Sequence, residues 1–178
     1  MSDVVKTIVG GVGYRNMRDL SLGPVLTTRL AEMSWPAHVS VDHDFSFGPI
    51  AIVQRFQATP DLCQRLVLFA GTGRGRPPGT IEAYRWAGDL PPADEIQARV
   101  GEAVTGVVSL DNLLIIGEHF GIWPPELLVV EVEVDDEGWG PGFSPPVTEA
   151  LEEVITIVRR AAIKGQIDLY REGEEIRA

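Results

Sequence analysis

The amino-acid sequence predicts a three-layer α/β/α fold, in which a mostly parallel, twisted sheet of about five strands lies between two layers of helices. Strand-like and helix-like segments alternate along the 178 residues. The connections between successive strands are too long for hairpins, which favours parallel strands joined by crossovers. Residues 66–70 are entirely apolar, as is typical of a central strand that is covered on both faces.

The predicted strands are short runs rich in β-branched and other apolar residues, with glycine, proline or polar residues at their ends. They cover residues 4–9, 37–41, 66–70, 80–86 and 127–134. The first strand is expected to end at Gly10, where a glycine-containing loop begins. Apolar and polar residues alternate over 80–86, which predicts an edge strand.

The predicted helices have apolar residues at spacings of three and four, which places these residues along one face. They cover residues 22–33, 49–57, 94–104 and 110–120, followed by a long helix that begins at Pro145. Ser109 is expected to cap the fourth helix, because its hydroxyl can accept a hydrogen bond from a free amide of the first turn. Gly121 stands where a left-handed residue commonly ends a helix.

Composition limits the location of the protein. Cys63 is the only cysteine, which excludes an internal disulfide and a cysteine-rich zinc site and favours a reducing compartment. The first residues do not resemble an export signal, and no apolar run approaches the ~20 residues that cross a bilayer. We therefore expect a cytoplasmic protein with one domain over residues 1–164 and a charged C-terminal tail over residues 165–178.

The net charge of the chain restricts the classes of molecule that it can bind. The formal net charge is -11. Such a chain repels a phosphate backbone unless its basic residues are concentrated on one face, so nucleic acid is an unfavourable partner. We expect neither nucleic acid nor a membrane as a partner, and the acidity says little more than that.

Ligands of parallel sheets bind at the C-terminal ends of the strands. Four predicted loops meet there, at residues 10–23, 42–48, 71–79 and 135–143. Gly11 and Gly13 follow a strand, as in a dinucleotide-binding turn, but Asn16 takes the place of the third glycine. A plain tight turn is the favoured interpretation.

Several segments, in order along the chain, resemble the hydrogenase maturation proteases. Residues 11–24 resemble the family's opening loop, in which a glycine-x-glycine-asparagine turn leads through two adjacent acidic residues to a glycine at the next helix. Here Tyr14 takes the place of the asparagine. The other similar segments are residues 65–80, 109–111, 123–126 and 142–147. The resemblance covers residues 7–160 and implies the family's three-layer fold.

The resemblance also implies a metal site, because the family binds nickel or another divalent ion through three side chains. These are the second acidic residue of the first loop, an aspartate at the end of the central strand and a histidine at a later helix start. The matching positions hold Leu20, Ala70 and Asp111. Hydrocarbon side chains offer a cation no lone pair, and an open divalent site takes about three protein ligands. We therefore expect no catalytic site and no cofactor.

Three carboxylates remain candidates for a rearranged metal site, namely Asp19, Asp42 and Asp111. Asp19 matches the family's first acidic position, and its competing role is to pair with Arg15 or Arg18 or to stabilise a helix start. Asp42 begins an Asp-His-Asp sequence at a strand end, a pattern that can hold a metal or a general base. No second histidine lies at a zinc-like spacing from it.

Arg74 and Arg76 are the candidate binding residues. They alternate with glycine in an otherwise acidic chain. Guanidinium groups bind carboxylate or phosphate partners through paired hydrogen bonds. The competing interpretation is a solvated loop with no ligand.

The resemblance implies a role in hydrogenase maturation, since the family docks on the precursor of the NiFe hydrogenase large subunit and cleaves its C-terminal extension. Without the metal ligands, we expect a non-catalytic homologue that binds the large subunit or an accessory protein as a chaperone or scaffold. One alternative is an active endopeptidase with nickel or another divalent ion at Asp19, Asp42 and Asp111. The other is a small anion-binding protein that uses Arg74 and Arg76.

Overall fold

Five strands form one sheet in the computed structural model, which describes residues 4–167. The strands are β1 (Thr7–Val12), β2 (Val39–Asp42), β3 (Arg65–Thr72), β4 (Ile81–Arg85) and β5 (Glu126–Glu133). Their order across the sheet is β2-β1-β3-β5-β4. All neighbours pair in parallel except β4, which is antiparallel to β5 and forms one edge. The predicted mostly parallel sheet and its edge strand are confirmed.

Helices cover both faces of this sheet. They are α1 (Leu22–Ala31), α2 (Pro49–Ala58), α3 (Ala93–Val104), α4 (Leu110–His119) and α5 (Pro145–Lys164). Short 3-10 helices lie at Arg18–Ser21 and His43–Ser46. The apolar residues of α1 and α5 share one core cluster, and those of α2, α3 and α4 share the other. The three-layer α/β/α prediction is therefore confirmed.

The central strand β3 supplies both cores. Leu66 and Leu68 are buried against the α2, α3 and α4 layer, whereas Val67 and Phe69 are buried against α1 and α5. This alternation follows from the two-residue period of a strand. Each side chain that is fully buried in this way stabilises the fold by about 1.5–3 kcal/mol.

The predicted end of the first strand at Gly10 is wrong, because Gly10 and Gly11 lie inside β1 and are buried. A Cβ at Gly10 would overlap the Phe45 ring, and one at Gly11 would overlap the backbone carbonyl of Gly23. These glycines therefore allow close packing of the strand against its neighbours. The strand continues to Val12, so the following loop begins at the C-terminal ends of the parallel strands.

The predicted capping residues of α4 and the predicted start of α5 are confirmed. The Ser109 hydroxyl accepts a hydrogen bond from the backbone amide of Asn112 at 3.1 Å, so it caps α4. Gly121 has a φ of 64°, the left-handed conformation that ends this helix. Pro145 occupies the first position of α5.

Within residues 4–167, no helix is long and apolar enough to cross a membrane. Helix α5 ends at Lys164, and Gly165 follows it with a φ of 68°. Most of the predicted C-terminal tail, residues 168–178, lies outside the described residues. The domain boundary at residue 164 and the cytoplasmic location stay predictions.

Candidate functional site

A pocket lies at the C-terminal edge of the parallel strands, where the sequence places ligand-binding loops. We call it the strand-end pocket; its volume is about 200 Å³. The loops after β1 and β3 and the start of α4 form its walls. Its apolar wall consists of Val12, Leu20, Ala70, Val107, Val108 and Leu110.

Leu20, Ala70 and Asp111 all line the strand-end pocket, although they come from three distant parts of the sequence. The fold therefore brings together the three positions that the family resemblance assigns to metal ligands. Leu20 and Ala70 give the pocket hydrocarbon surface, and only Asp111 has oxygen donors. This donor set does not fit a nickel ion or another divalent ion, which takes about three protein ligands.

A guanidinium group already neutralises Asp111. Arg74 Nη1 and Nη2 donate hydrogen bonds to the two Asp111 carboxylate oxygens at 2.8 and 2.7 Å. This paired geometry is the strongest arrangement between arginine and a carboxylate. The hydrogen bonds to Asp111, followed by those to Glu131, raise the pKa of Arg74. The positive charge at the pocket is therefore permanent.

Glu131 on β5 lies behind Arg74, and its side chain is only 3% exposed. It accepts hydrogen bonds from Arg74 Nη2 at 2.8 Å and Arg76 Nη2 at 2.6 Å. The Tyr84 hydroxyl also donates to it, at 2.9 Å. Burial acts to raise the pKa of Glu131, but the hydrogen bonds from Arg74, Arg76 and Tyr84 outweigh it and lower the pKa to about 2. The carboxylate is therefore charged in the folded protein at neutral pH.

Glu133, two residues further along the same strand, orders the loop that carries both arginines. Its carboxylate accepts hydrogen bonds from the backbone amides of Arg74 at 2.9 Å and Gly75 at 3.0 Å. Arg76 Nε donates to it at 3.2 Å. The prediction of Arg74 and Arg76 as binding residues stays a prediction. Residues 73–75 of their loop are exposed, but both arginine side chains form internal ion pairs.

The charge of this cluster does not favour an anionic ligand. Arg74 and Arg76 contact the carboxylates of Asp111, Glu131 and Glu133, and Arg76 Nη1 lies 3.9 Å from Glu82. Carboxylates thus outnumber guanidinium groups. An incoming phosphate or carboxylate would have to displace these internal acceptors and would meet their negative charge.

Asp19 is fully buried and has a structural role. Its carboxylate accepts hydrogen bonds from the backbone amides of Asp135, Asp136 and Ser144, at 2.8 to 2.9 Å. The Ser144 hydroxyl donates a fourth, at 2.7 Å. Burial acts to raise the pKa of Asp19, but the four hydrogen bonds outweigh it, so the pKa lies below its ordinary value. Of the competing roles predicted for Asp19, the structure supports stabilisation of a helix start, because Asp19 binds Ser144, the residue that precedes α5. Arg18 lies beside Asp136 instead.

Asp42 ends β2 and pairs with a different partner. Its carboxylate lies 2.5 Å from Arg55 Nη2 and accepts a hydrogen bond from the backbone amide of Asp44 at 2.8 Å. The structure therefore does not bring Asp19, Asp42 and Asp111 together. In the part of the chain that it describes, no three histidine, cysteine or acidic side chains form a group that could hold a metal ion.

Glu131, Glu133 and Tyr84 are not among the site residues predicted from the sequence. A signal was present, since two glutamates interrupt the apolar strand over 126–133 at a spacing of two, which puts both on one face. Buried carboxylates need cationic partners, and Arg74 and Arg76 have the matching spacing in the neighbouring segment. The pairing of β3 with β5 sets Thr72 opposite Glu133 and so brings the two glutamates and the two arginines together.

No protein-family model matches the chain, and a search of curated proteins finds no significant match. Solved structures do match. The endopeptidase HycI from Escherichia coli is 21% identical, with 94% of this chain and 98% of that chain covered and a TM-score of 0.56. A hydrogenase 2 maturation peptidase from a Thaumarchaeota archaeon is 18% identical, with 87% and 96% covered and a TM-score of 0.57.

A third match is the hydrogenase maturating endopeptidase HybD from E. coli, which is 17% identical, with 84% of this chain and 86% of that chain covered and a TM-score of 0.54. At such identities the likeness concerns architecture, and it extends over most of each chain. It agrees with the mostly parallel five-stranded α/β architecture described above. This chain has the fold of the hydrogenase maturation proteases.

Proposed function

We propose that this chain is a non-catalytic homologue of the hydrogenase maturation proteases, and that it binds a hydrogenase large subunit or an accessory protein during maturation. The fold and the ordered sequence segments support the relationship. The loss of catalysis is supported by the strand-end pocket, where Leu20 and Ala70 take two of the three ligand positions.

The observation that carries the proposal is the contact between Arg74 and Asp111. The one donor among the three matching positions is bound on both oxygens by a guanidinium group. A divalent ion near Asp111 would be repelled by this fixed positive charge, and it would find no second carboxylate and no imidazole among the described residues that line the pocket. In this proposal, Arg74 takes over the electrostatic role of a bound cation.

The geometry retained from the fold suits binding. The strand-end pocket is preformed and its walls are mainly apolar. The C-terminal ends of β1 and β3 hold these walls in position. The ion pairs between the arginine loop and β5 hold one wall in place. A pocket that is held in this way binds a partner without the entropic cost of ordering a loop.

The test is co-purification with a NiFe hydrogenase large-subunit precursor, with and without nickel. We expect a complex in which the precursor keeps its full mass, as measured by mass spectrometry. A variant with Arg74→Ala and Arg76→Ala should lose the complex, because the pocket wall is no longer fixed. Arg29→Ala, in the last turn of helix α1 and outside the pocket lining, is the matched control and should keep it. Absence of a complex at every nickel loading would remove the proposal.

An active maturation endopeptidase is the second candidate, and it is favoured by the matched structures, which are themselves named as peptidases or endopeptidases. The same experiment separates the two. Loss of the C-terminal extension from the precursor, dependent on nickel and on Asp111, would establish the endopeptidase.

A further inference from the structure

We propose that the strand-end pocket and the acidic loop beside it form a docking surface for a cationic peptide segment of the partner, with one aliphatic side chain of that segment in the pocket. This inference rests on the proposed function and names the chemistry of the partner. It is drawn from the size of the pocket, the charge around it and one exposed aromatic residue.

The pocket has the size of a side chain. Sites for drug-sized ligands occupy about 300–1,000 Å³. The strand-end pocket, at about 200 Å³, is smaller than these. Its walls are mainly aliphatic, and the charged residues that line it, Arg74 and Asp111, neutralise each other. An aliphatic side chain therefore fits better than a polar metabolite, which would leave its polar groups without partners.

The loop over residues 135–140 lies beside this pocket and is held there by backbone hydrogen bonds. The amide of Asp19 donates to the carbonyl of Asp136 at 3.0 Å, and the amide of Arg18 donates to the carbonyl of Gly140 at 3.1 Å. Glu137 Oε1 lies 3.1 Å from where a Cβ would stand on Gly73, a residue of the pocket wall. The loop and the pocket are therefore parts of one continuous surface.

Trp139 is presented on this loop with 79% of its surface exposed. Tryptophan is among the residues most enriched in the energetically dominant centres of protein interfaces. An indole face with carboxylates nearby also binds a lysine or arginine side chain through a cation–π contact. Trp139 thus favours a partner that brings both apolar surface and positive charge.

The charge around the pocket has the matching sign. Segments 13–21, 71–82, 107–111 and 131–143 contain residues that line the pocket or hydrogen-bond to its walls. Together these segments carry eight carboxylates and four arginines. Asp135, Asp136 and Glu137 are exposed, next to Trp139. A cationic segment is attracted by this excess of negative charge, whereas an acidic or phosphorylated segment is repelled.

The test uses three fluorescein-labelled five-residue peptides in fluorescence anisotropy titrations against the intact protein. The probe has a central leucine flanked by two lysines on each side. One comparison peptide replaces the leucine by serine, and the other replaces the lysines by glutamates. We expect the lysine-leucine peptide to bind at least about fivefold more tightly than the serine peptide. The glutamate peptide should not bind, and binding should weaken as salt is raised.

Three variants locate the surface. Trp139→Ala, Glu137→Lys and Leu20→Trp, which fills the pocket, should each weaken binding at least about fivefold. Glu153→Lys makes the same charge change on an exposed position of α5 and should weaken it much less. Circular dichroism shows whether each variant is folded.

The docking surface is wrong if the lysine-leucine peptide does not bind at millimolar concentration, if the serine peptide binds equally well, or if Glu153→Lys has the same effect as Glu137→Lys. It is also wrong if Trp139→Ala abolishes a dimer in light-scattering measurements, since a second copy of the chain would then be the occupant. A complex with the large-subunit precursor but no peptide binding would overturn this inference alone. Loss of both would overturn the proposed function as well.

Discussion

Asp19 accepts hydrogen bonds from both the backbone amide and the hydroxyl of Ser144, although 125 positions separate the two residues. The same carboxylate binds the amides of Asp135 and Asp136. The buried carboxylate of Asp19 therefore joins the loop after β1 to the connection between β5 and α5. The loop after β1 places Leu20 in the wall of the strand-end pocket. Asp19 does not line the pocket, but by fixing this loop it helps to position the wall.

We expect Asp19→Asn to destabilise the protein by about 2–4 kcal/mol, because the amide removes the charge and places an N–H donor against a backbone donor. The free energy of unfolding from urea titrations at pH 7 measures this. Asp61→Asn, at an exposed position, is the control and should change it by less than about 0.5 kcal/mol. An equally small effect of Asp19→Asn would contradict the assigned role.

Glu131 makes stability depend on pH. Its pKa falls from an ordinary 4.5 to about 2 on folding, so the folded state favours the charged form. This contribution, about 3 kcal/mol, is fully present above pH 4.5 and is lost as the pH falls towards 2. Glu131→Gln should lower stability at pH 7 and flatten the dependence between pH 4.5 and 2. Urea titrations over this range test it, and parallel curves for the two proteins would refute the assignment.

Arg74 and Glu131 should be energetically coupled. Arg74→Met leaves a buried carboxylate with one cationic partner fewer, and we expect a loss of about 2–4 kcal/mol, since the arginine is itself partly exposed. Glu131→Gln should cost less in the Arg74→Met background than in the wild type, by about 1–2 kcal/mol. A double-mutant cycle in urea measures this difference. Strictly additive effects would show that the pair is not coupled.

Two helical glycines should respond in opposite directions to alanine. A Cβ at Gly117 in α4 would overlap the Trp123 ring, so Gly117→Ala should destabilise the protein by about 1–3 kcal/mol. A Cβ at Gly101 in α3 meets no atom within 4 Å, so Gly101→Ala should stabilise the protein by about 0.5–1 kcal/mol. Thermal unfolding of the two variants checks the sign of each change. Stabilisation by Gly117→Ala would contradict the close packing.

The alternation of strands and helices could be predicted from sequence because it depends on local periodicity. Residues 66–70 are apolar throughout, and β3 is indeed central and buried on both faces. The end of β1 could not be predicted, because the glycines at 10 and 11 normally indicate a turn. Here they serve close packing against Phe45 and Gly23, which depends on tertiary structure.

The candidate site could be predicted only in part. The absence of ligands at positions 20 and 70 follows from residue type alone, and the fold confirms that both positions line one pocket with Asp111. The matching spacing of the two glutamates and the two arginines was a weak signal for the partners of Arg74, but it does not assign them, because Asp111 and Glu131 lie 37 and 57 positions away. Such pairs depend on strand order, which the sequence pattern does not specify.

The central claim is that Arg74, and no metal ion, supplies the positive charge at Asp111. Isothermal titration calorimetry with nickel measures this most directly, on the wild type and on Asp111→Ala. We predict no binding at micromolar nickel for either protein. Micromolar binding by the wild type that Asp111→Ala abolishes would contradict the account and would identify the chain as a metal-dependent enzyme with rearranged ligands.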